Sequence, residues 1–152
     1  MGKRFAPESE GPTALFLDTS ALFPYFDPDT EEHEEVNRFF KKLLPELPYR
    51  PLYTNHYVVD ELVTLLLYKA DRERAAEAYE SIMESEVIQL LAVDETVFEE
   101  AGESFLQHRD VSASFTDHTI EVQSKERGVE YVLAYDGDFE SLGLNVVPRQ
   151  AT

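Results

Sequence analysis

Two aspartates stand directly after short apolar runs that have the length of buried strands. Asp18 follows TALFL at 13–17, and Asp136 closes EYVLAYD at 130–136. A carboxylate can ligate a hard cation such as Mg²⁺, and it can also cap a helix by accepting backbone N–H groups. Because aspartate is common in loops and caps, these two positions alone leave a ligand-binding role and a structural role equally open.

A third acid lies beside an apolar helix face. NHYVVDELVTLLLYKA at 55–70 has the apolar spacing of an amphipathic helix. Glu61 borders the apolar stripe, whereas Asp60 points away from it and is predicted to be a solvated surface charge. An unpaired carboxylate beside a buried face is costly, which favours a partner for Glu61. A glutamate that reaches solvent is the alternative.

A fourth acid stands in the first turn of a predicted helix, SFTDHTIEVQSKERG at 114–128. Asp117 has a structural explanation there, because the helix dipole stabilises a carboxylate at a helix N-terminus. Glu121 shares its face one turn later, either as an additional ligand or as an exposed residue. Asp138, two residues after Asp136, is a second candidate at that end of the chain.

Strands that alternate with helices would have to position these acids. The predicted strands lie at 13–17, 51–54, 87–93, 130–136 and 145–148. The predicted helices lie at 30–44, 55–70, 71–85, 94–108 and 114–128, with Asp94 capping the fourth and Gly128 ending the last. This alternation predicts an α/β fold: a three-layer sandwich with a central, mainly parallel sheet flanked by helices. Ligands bind beyond the carboxyl ends of such strands, where Asp18 and Asp136 fall. Thr19 and Ser20 are predicted to form the turn that leaves the first strand.

Composition favours one compact domain. With 152 residues, 43% of them hydrophobic, the chain has room for one core, predicted over 13–150 after a flexible N-terminal tail at 1–12. The lack of cysteine excludes disulfides and thiolate zinc sites. No apolar run approaches the roughly 20 residues of a membrane span, and the N-terminus has no apolar signal core. A cytoplasmic protein without membrane contact is therefore expected.

The chain is strongly acidic, with 31 acidic and 13 basic residues and a net charge of −18. The acids are spread through segments with regular apolar periodicity, so a disordered acidic tail does not explain them. We interpret them as a surface suited to the cytosol of a halophile, where salt shortens the Debye length to a few ångströms. Mimicry of nucleic acid is the alternative.

The order of these landmarks resembles the PIN-domain nucleases, and most closely the VapC-type toxins of prokaryotic toxin–antitoxin pairs. The resemblance covers nearly the whole chain after residue 13. The family opens with a strand that runs into Asp-Thr-Ser or Asp-Thr-Asn, as in LFLDTS, and then has a helix carrying a glutamate, as in YTNHYVVDELVTLL. A Ser/Thr-rich helix start supplies an aspartate, as in SFTDHTIEV. An Asp-x-Asp-Phe turn closes the pattern in VLAYDGDFESLGLNVVP.

The chain departs from the family pattern in three places. His118 stands where the family usually has a small residue, and Ala134 replaces a frequent threonine. The N-terminal tail is extra. His118 is expected either to crowd the pocket or to contact RNA.

The resemblance implies an endoribonuclease that hydrolyses RNA phosphodiester bonds with Mg²⁺ or Mn²⁺, leaving a 5′-phosphate and a 3′-hydroxyl. It assigns four catalytic residues: Asp18, Glu61, Asp117 and Asp136. The metal would be held by Asp18, Asp117 and Asp136. Possible auxiliary residues are Asp138, Ser20, Thr116 and Glu121. Two carboxylates about 4 Å apart repel by roughly 4 kcal/mol at an effective dielectric near 20, so a bound cation would relieve the cluster.

The resemblance also implies three partners: an RNA substrate, a cognate antitoxin and a second copy of the chain. One alternative is a PIN nuclease of RNA maturation or decay that has no antitoxin, and another is a non-catalytic acidic α/β binding module. Phosphate contacts normally come from Lys and Arg. The grouped cations are Lys41 with Lys42, Lys69 with Arg72 and Arg74, and Lys125 with Arg127. For each group, a role at a helix end or in solubility is favoured over a contact to RNA.

Overall fold

The computed structural model describes residues 2–150, and a five-stranded sheet forms its centre. The strands are β1 (Thr13–Leu17), β2 (Tyr49–Asn55), β3 (Ile88–Leu91), β4 (Tyr131–Leu133) and β5 (Asn145–Val147). Their order across the sheet is β3-β2-β1-β4-β5, and all four neighbouring pairs are parallel. The predicted α/β class with a mainly parallel sheet is confirmed. The strand order reverses between β1 and β4, the point where such sheets bind ligands.

Within residues 2–150, six α-helices connect and cover the strands. They are α1 (Thr19–Phe26), α2 (His33–Arg38), α3 (His56–Lys69), α4 (Arg72–Glu84), α5 (Glu95–Gln107) and α6 (Phe115–Arg127). Five begin at a residue whose side chain accepts a backbone N–H of the first turn: Asp18, Asn55, Asp71, Asp94 and Ser114. The predicted cap at Asp94 and the predicted stop at Gly128 are confirmed, the latter with φ of 69°.

Two stretches differ from the sequence prediction. The residues after Asp18 form helix α1 rather than a turn, and Pro24 inside this short apolar helix hides the usual pattern. The helix predicted at 30–44 begins only at His33. After α2 it continues as a wider π-helical turn at Phe39–Leu43 and then as a tighter 3₁₀ turn at Leu44–Glu46. Within residues 2–150, no helix is long and apolar enough to cross a membrane.

The N-terminal segment, in its described part at 2–12, contacts the domain. Phe5 is 2% exposed and stacks on Phe39 with ring centroids 4.8 Å apart. The Tyr49 hydroxyl donates to the carbonyl of Phe5, and the backbone N–H of Arg149 donates to the carbonyl of Arg4 over 2.8 Å. The flexibility of residues 1–12 stays a prediction, but Arg4 is hydrogen-bonded to Arg149, two residues after the end of β5.

Candidate active site

A cavity of about 670 Å³ opens at the carboxyl ends of β1 and β4. Five acids are among its lining residues: Asp18, Glu32, Glu61, Asp117 and Asp136. The structure therefore brings together all four acids that the sequence proposes as catalytic. Glu32, at the start of α2, was missed because it lies in an acidic run with no distinguishing pattern.

Asp18 is both a helix cap and a lining residue of the cavity. It is 4% exposed, and its Oδ2 accepts the Ser20 backbone N–H over 3.1 Å and the Ser20 hydroxyl over 2.6 Å. Its Oδ1 is buried with no hydrogen-bond partner within residues 2–150. Burial raises the pKa of Asp18 to about 7, and the charges of Asp117 and Glu61 add to this, against the hydrogen bonds from Ser20.

Ser20 joins the ends of the two central strands. Its hydroxyl oxygen accepts the backbone N–H of Tyr135 over 2.9 Å and that of Asp136 over 3.1 Å. A hydroxyl carries one proton and two acceptor sites, so the donor to Asp18 and both acceptors are occupied. Ser20 thus fixes the Asp18 carboxylate relative to the turn that carries Asp136, instead of leaving its proton for a ligand.

Asp117 occupies the third position of α6 and forms a capping box with Ser114. The backbone N–H of Ser114 donates to Asp117 Oδ2, and the backbone N–H of Asp117 donates to Ser114 Oγ, each over 3.0 Å. Burial raises the pKa of Asp117, and the charge of Glu61 adds to this against the hydrogen bonds from Ser114 and the charge of His118. The helix-end explanation is correct for Asp117, yet the same side chain lines the cavity.

The turn after β4 passes close to Asp117 because it contains a glycine. Gly137 has a φ of 98°, a conformation that favours glycine. A Cβ at this position would lie 3.0 Å from the Phe139 ring and 3.4 Å from Asp117 Oδ2. Asp136 is exposed, and its Oδ1 accepts the Gly137 N–H over 2.8 Å.

Glu61 reaches the cavity from α3, where it is half-buried beside the exposed Asp60, as the helical spacing predicts. A buried amide sets the position of α3 against α6. Asn55 caps α3 through its Oδ1, and its Nδ2 donates to Thr119 Oγ1 over 3.0 Å and to Gln123 Oε1 over 2.9 Å. This network fixes the helix of Glu61 relative to the helix of Asp117.

Three of the auxiliary candidates lie apart from the cavity. Asp138 is not among the lining residues and accepts the Ser141 hydroxyl over 2.9 Å. Thr116 is also absent from the lining, and its carbonyl accepts the Thr119 hydroxyl. Glu121 is 2% exposed and accepts hydrogen bonds from Ser104 over 2.6 Å and Lys125 over 3.1 Å.

His118 neither crowds the cavity nor reaches the surface. It is 1% exposed, and its Nδ1 lies 3.1 Å from Oε1 of Glu121 and 3.1 Å from Oγ of Ser104. Both expectations for His118 are therefore wrong, because α5 packs over that face of α6. The same packing buries Glu121, which was expected to be either a ligand or exposed.

The carboxylate oxygens of the cavity could ligate a hard cation that takes few of its ligands from the protein. Among residues 2–150, no three histidine or acidic side chains are close enough together to hold one ion directly. Magnesium commonly takes one or two carboxylates and fills its remaining positions with water and substrate phosphate. The unpartnered Oδ1 of Asp18 is the observation that favours such an ion, because it lies in a cavity where burial and the charges of neighbouring acids raise the pKa values of Asp18 and Asp117.

A family model and a sequence relative both indicate the same protein family. The family model described as "PIN domain" matches residues 15–144. The chain is 28% identical over 129 residues to the 23S rRNA-specific endonuclease VapC20 of Mycobacterium tuberculosis, covering 85% of this chain and 94% of that protein. The resemblance to PIN nucleases is therefore confirmed.

Solved structures share the fold. Mycobacterium tuberculosis VapC20, described as a sarcin–ricin loop cleaving toxin, superposes with a TM-score of 0.76 at 26% identity, covering 86% of this chain and 96% of that one. FitAcB from Neisseria gonorrhoeae gives 0.62 at 20% identity, covering 88% and 97%. VapBC-5 from Mycobacterium tuberculosis, described as a member of the VapBC family of toxin–antitoxin systems, gives 0.56 at 20% identity, covering 91% and 100%. The last two likenesses concern the fold alone.

Proposed function

This chain belongs to the PIN-domain family, and on that premise we propose that it is a metal-dependent endoribonuclease and the toxin of a toxin–antitoxin pair. The observation that carries the proposal is the cavity lined by Asp18, Glu61, Asp117 and Asp136. The similar Mycobacterium protein is named for cleavage of 23S rRNA, which supports RNA as the substrate class. Hydrolysis would leave a 5′-phosphate and a 3′-hydroxyl.

The cofactor we propose is Mg²⁺ or Mn²⁺, held by Asp18, Asp117 and Asp136, with at least one of the three bound through water. When bound, such an ion would supply a lowered pKa for the attacking water and stabilisation of the negative charge on the phosphate. Asp18 Oδ1 is the free ligand atom, because Oδ2 is engaged by Ser20. Asp117 is held by its capping box, so its orientation is fixed before substrate binds.

Glu61 and Asp136 have different roles in this proposal. Glu61 is half-buried and contributes to the raised pKa values of both Asp18 and Asp117, so its carboxylate lies near both. We assign it to orient the attacking water by accepting one of its protons. Asp136 is exposed at the mouth of the cavity, and there it helps to hold the ion.

The proposed protein partners are a cognate antitoxin and a second copy of the chain. VapBC-5, which shares the fold, is described as belonging to a toxin–antitoxin system, and this supports an antitoxin partner. An antitoxin would inhibit the enzyme by occluding the acidic cavity. We further propose a cytoplasmic location.

The net charge of −18 leads to a proposal about solvent. We propose that the enzyme works in molar salt, where long-range repulsion between an acidic protein and RNA is screened and short-range contacts remain. Cleavage that persists from low to molar KCl would support this. Loss of cleavage over that range by a protein that stays folded would contradict it.

Mapping RNA ends in cells tests the proposed function. Wild type and Asp18→Asn would be expressed in parallel, with Asp60→Asn as a control that removes an exposed charge on α3. We expect new 5′-monophosphate ends with wild type and Asp60→Asn, and none with Asp18→Asn. If all three proteins accumulate and none produces new ends, a non-catalytic binding module is favoured instead.

A further inference from the structure

The described residues that line the acidic cavity include no basic side chain that could contact a polyanionic substrate. Its lining residues between positions 2 and 150 include five acids and no lysine, arginine or histidine. Nucleic acid backbones are normally held by Lys and Arg contacts to phosphate. A metal ion could serve the scissile phosphate, but these lining residues offer no cationic side chain to the neighbouring phosphates of the strand.

A second cavity adjoins the first and contains two arginines. It has a volume of about 380 Å³ and shares Tyr135, Asp136 and Gly137 with the acidic cavity. Arg4, from the N-terminal segment, and Arg149, after β5, line it. The turn that carries Asp136 is therefore the common wall between the catalytic acids and a pair of guanidinium groups.

The two arginines are held in place by contacts that leave donors free. Arg4 Nε donates to the carbonyl of Arg149 over 2.7 Å, and Arg4 Nη1 pairs with Glu35. Arg149 Nη2 donates to the carbonyls of Lys3, over 2.5 Å, and Ala6, over 2.7 Å. Within residues 2–150, Nη2 of Arg4 and Nη1 of Arg149 make no hydrogen bond, although each guanidinium carries five N–H donors.

The Arg4 contact is also linked to the wall between the cavities. Glu35 accepts the Tyr135 hydroxyl over 2.7 Å while it pairs with Arg4. The Tyr135 backbone N–H donates to Ser20, which in turn holds Asp18. A strand bound against Arg4 would therefore lie beside a wall whose position is fixed relative to the catalytic acids.

We infer that Arg4 and Arg149 form a subsite for an RNA backbone phosphate adjacent to the scissile bond. The inference rests on the proposed function and adds to it the contact that brings the strand to the acids. Guanidinium groups suit this role because they bind phosphate through paired N–H donors. Glu140 and Asp136 line the same cavity, and their charges would repel a phosphate. Direct hydrogen bonds from the arginine donors must therefore outweigh this repulsion.

Both arginines lie outside the part of the chain that matches the family model. That match spans residues 15–144, whereas Arg4 precedes it and Arg149 follows it. The two arginines thus come from the segments that flank the family match, and these segments pack together beside the catalytic cavity. The cations that the sequence grouped on helices are not among the lining residues of either cavity.

Binding and cleavage of a short RNA that spans a cut site mapped in cells tests the subsite. Arg4→Gln and Arg149→Gln would be compared with Arg72→Gln, which removes the same charge from an exposed position on α4. We expect each subsite variant to weaken RNA binding about 5- to 20-fold and to raise KM accordingly, with Arg72→Gln close to wild type. The slope of log affinity against log salt should fall by about 0.7 for each lost phosphate contact on a single strand.

An RNA with a neutral phosphate analogue distinguishes a direct contact between Arg4 and phosphate from a purely structural role of Arg4. One phosphate next to the cut site would be replaced by methylphosphonate in successive RNAs. At the position that the subsite binds, the replacement should weaken binding to wild type and should have no further effect on Arg4→Gln, because the same contact is removed twice. Arg4→Lys should restore part of the affinity. If Arg149→Gln unfolds, the Arg4 variants and the methylphosphonate series decide the question.

Three results would overturn the inference, and they differ from one another. If wild type cleaves and both glutamine variants bind RNA with the affinity and salt slope of Arg72→Gln, the subsite is wrong and the proposed function stands. If the variants lose affinity for an antitoxin and keep their affinity for RNA, the arginines belong to a protein interface. If wild type neither binds nor cleaves RNA, the proposed function fails and the subsite fails with it.

Discussion

The Ser20 hydroxyl donates a 2.6 Å hydrogen bond to Asp18 Oδ2, and its oxygen accepts the backbone N–H groups of Tyr135 and Asp136. One side chain thus connects the end of β1, the start of α1 and the turn after β4. It orients the Asp18 carboxylate so that Oδ2 is engaged and Oδ1 remains unpartnered. Mutation of a residue that orients a metal ligand in this way typically lowers metal affinity or activity by roughly 10- to 100-fold.

Replacing this hydroxyl should impair catalysis without unfolding the protein. Ser20→Ala removes the donor to Asp18 and leaves two backbone N–H groups without their acceptor, so we expect cleavage to fall about 10- to 100-fold. Ser141→Ala is the matched control, because its hydroxyl donates to Asp138, which does not line the cavity. RNA cleavage rates at saturating Mg²⁺ would measure the difference. Equal activity of the two variants would contradict the role given to Ser20.

Asp18→Asn should stabilise the metal-free protein at alkaline pH. Folding raises the pKa of Asp18 from 3.8 to about 7, so the folded protein binds the proton more tightly than the unfolded chain. The contribution of Asp18 to stability therefore falls as pH rises from about 4 to about 7. We expect the variant to gain on the order of 2–4 kcal/mol over wild type at pH 8, and much less at pH 4. Denaturant unfolding in EDTA at both pH values measures this gain, and a variant less stable than wild type at pH 8 would contradict it.

The two neighbouring acids of α3 should behave differently. Glu61 is half-buried in the cavity lining, whereas Asp60 is exposed and outside it. We expect Glu61→Gln to lower cleavage at least 100-fold, within the usual range for loss of a general base. Asp60→Asn changes the same charge one residue away and should keep cleavage within a few-fold of wild type. If both variants cleave equally, Glu61 does not act on the reacting water.

Much of the architecture could be predicted from the chain, because the fold rests on local patterns. The five strands, the cap at Asp94 and the stop at Gly128 follow from apolar spacing and from the neighbouring polar residues and glycine. Asp18 and Asp136 could be paired because the carboxyl ends of parallel strands meet at one edge of the sheet. Helix α1 was missed because Pro24 and a uniformly apolar composition leave no helical pattern.

The rest of the site depends on contacts between distant parts of the chain. Ser20 bonds to residues more than a hundred positions away, and Arg4 contacts Arg149 only because the segment before β1 packs against the segment after β5. His118 and Glu121 were misplaced because helical spacing gives the face of a residue but does not say which element covers that face. Here α5 covers it.

The burial of Glu121 leads to a prediction that separates stability from catalysis. Burial alone would raise the pKa of Glu121, but hydrogen bonds from Ser104, His118 and Lys125 more than offset this and hold the pKa below its usual value of 4.5. The stability that this carboxylate contributes is present above its unfolded pKa and is lost as pH falls through the lower folded value. Glu121→Gln should therefore destabilise the protein by about 1–3 kcal/mol at pH 7.

The same variant should retain activity once it is folded. Glu121 lies between α5 and α6, away from the residues that line the acidic cavity. Cleavage by Glu121→Gln, assayed well below its melting temperature, is expected to stay within a few-fold of wild type. A folded variant that has lost cleavage would show that Glu121 takes part in the site after all.

We propose above all that the acids at the ends of β1 and β4 bind a divalent cation that RNA hydrolysis requires. The most direct measurement is cleavage of a defined RNA by purified wild type and Asp18→Asn, titrated with Mg²⁺ from an EDTA-treated start. We predict no cleavage in EDTA, a saturable rise with Mg²⁺ for wild type, 5′-phosphate products, and no rise for Asp18→Asn. Cleavage that is insensitive to EDTA, or equal for the two proteins at every Mg²⁺ concentration, would contradict a required cation held by Asp18.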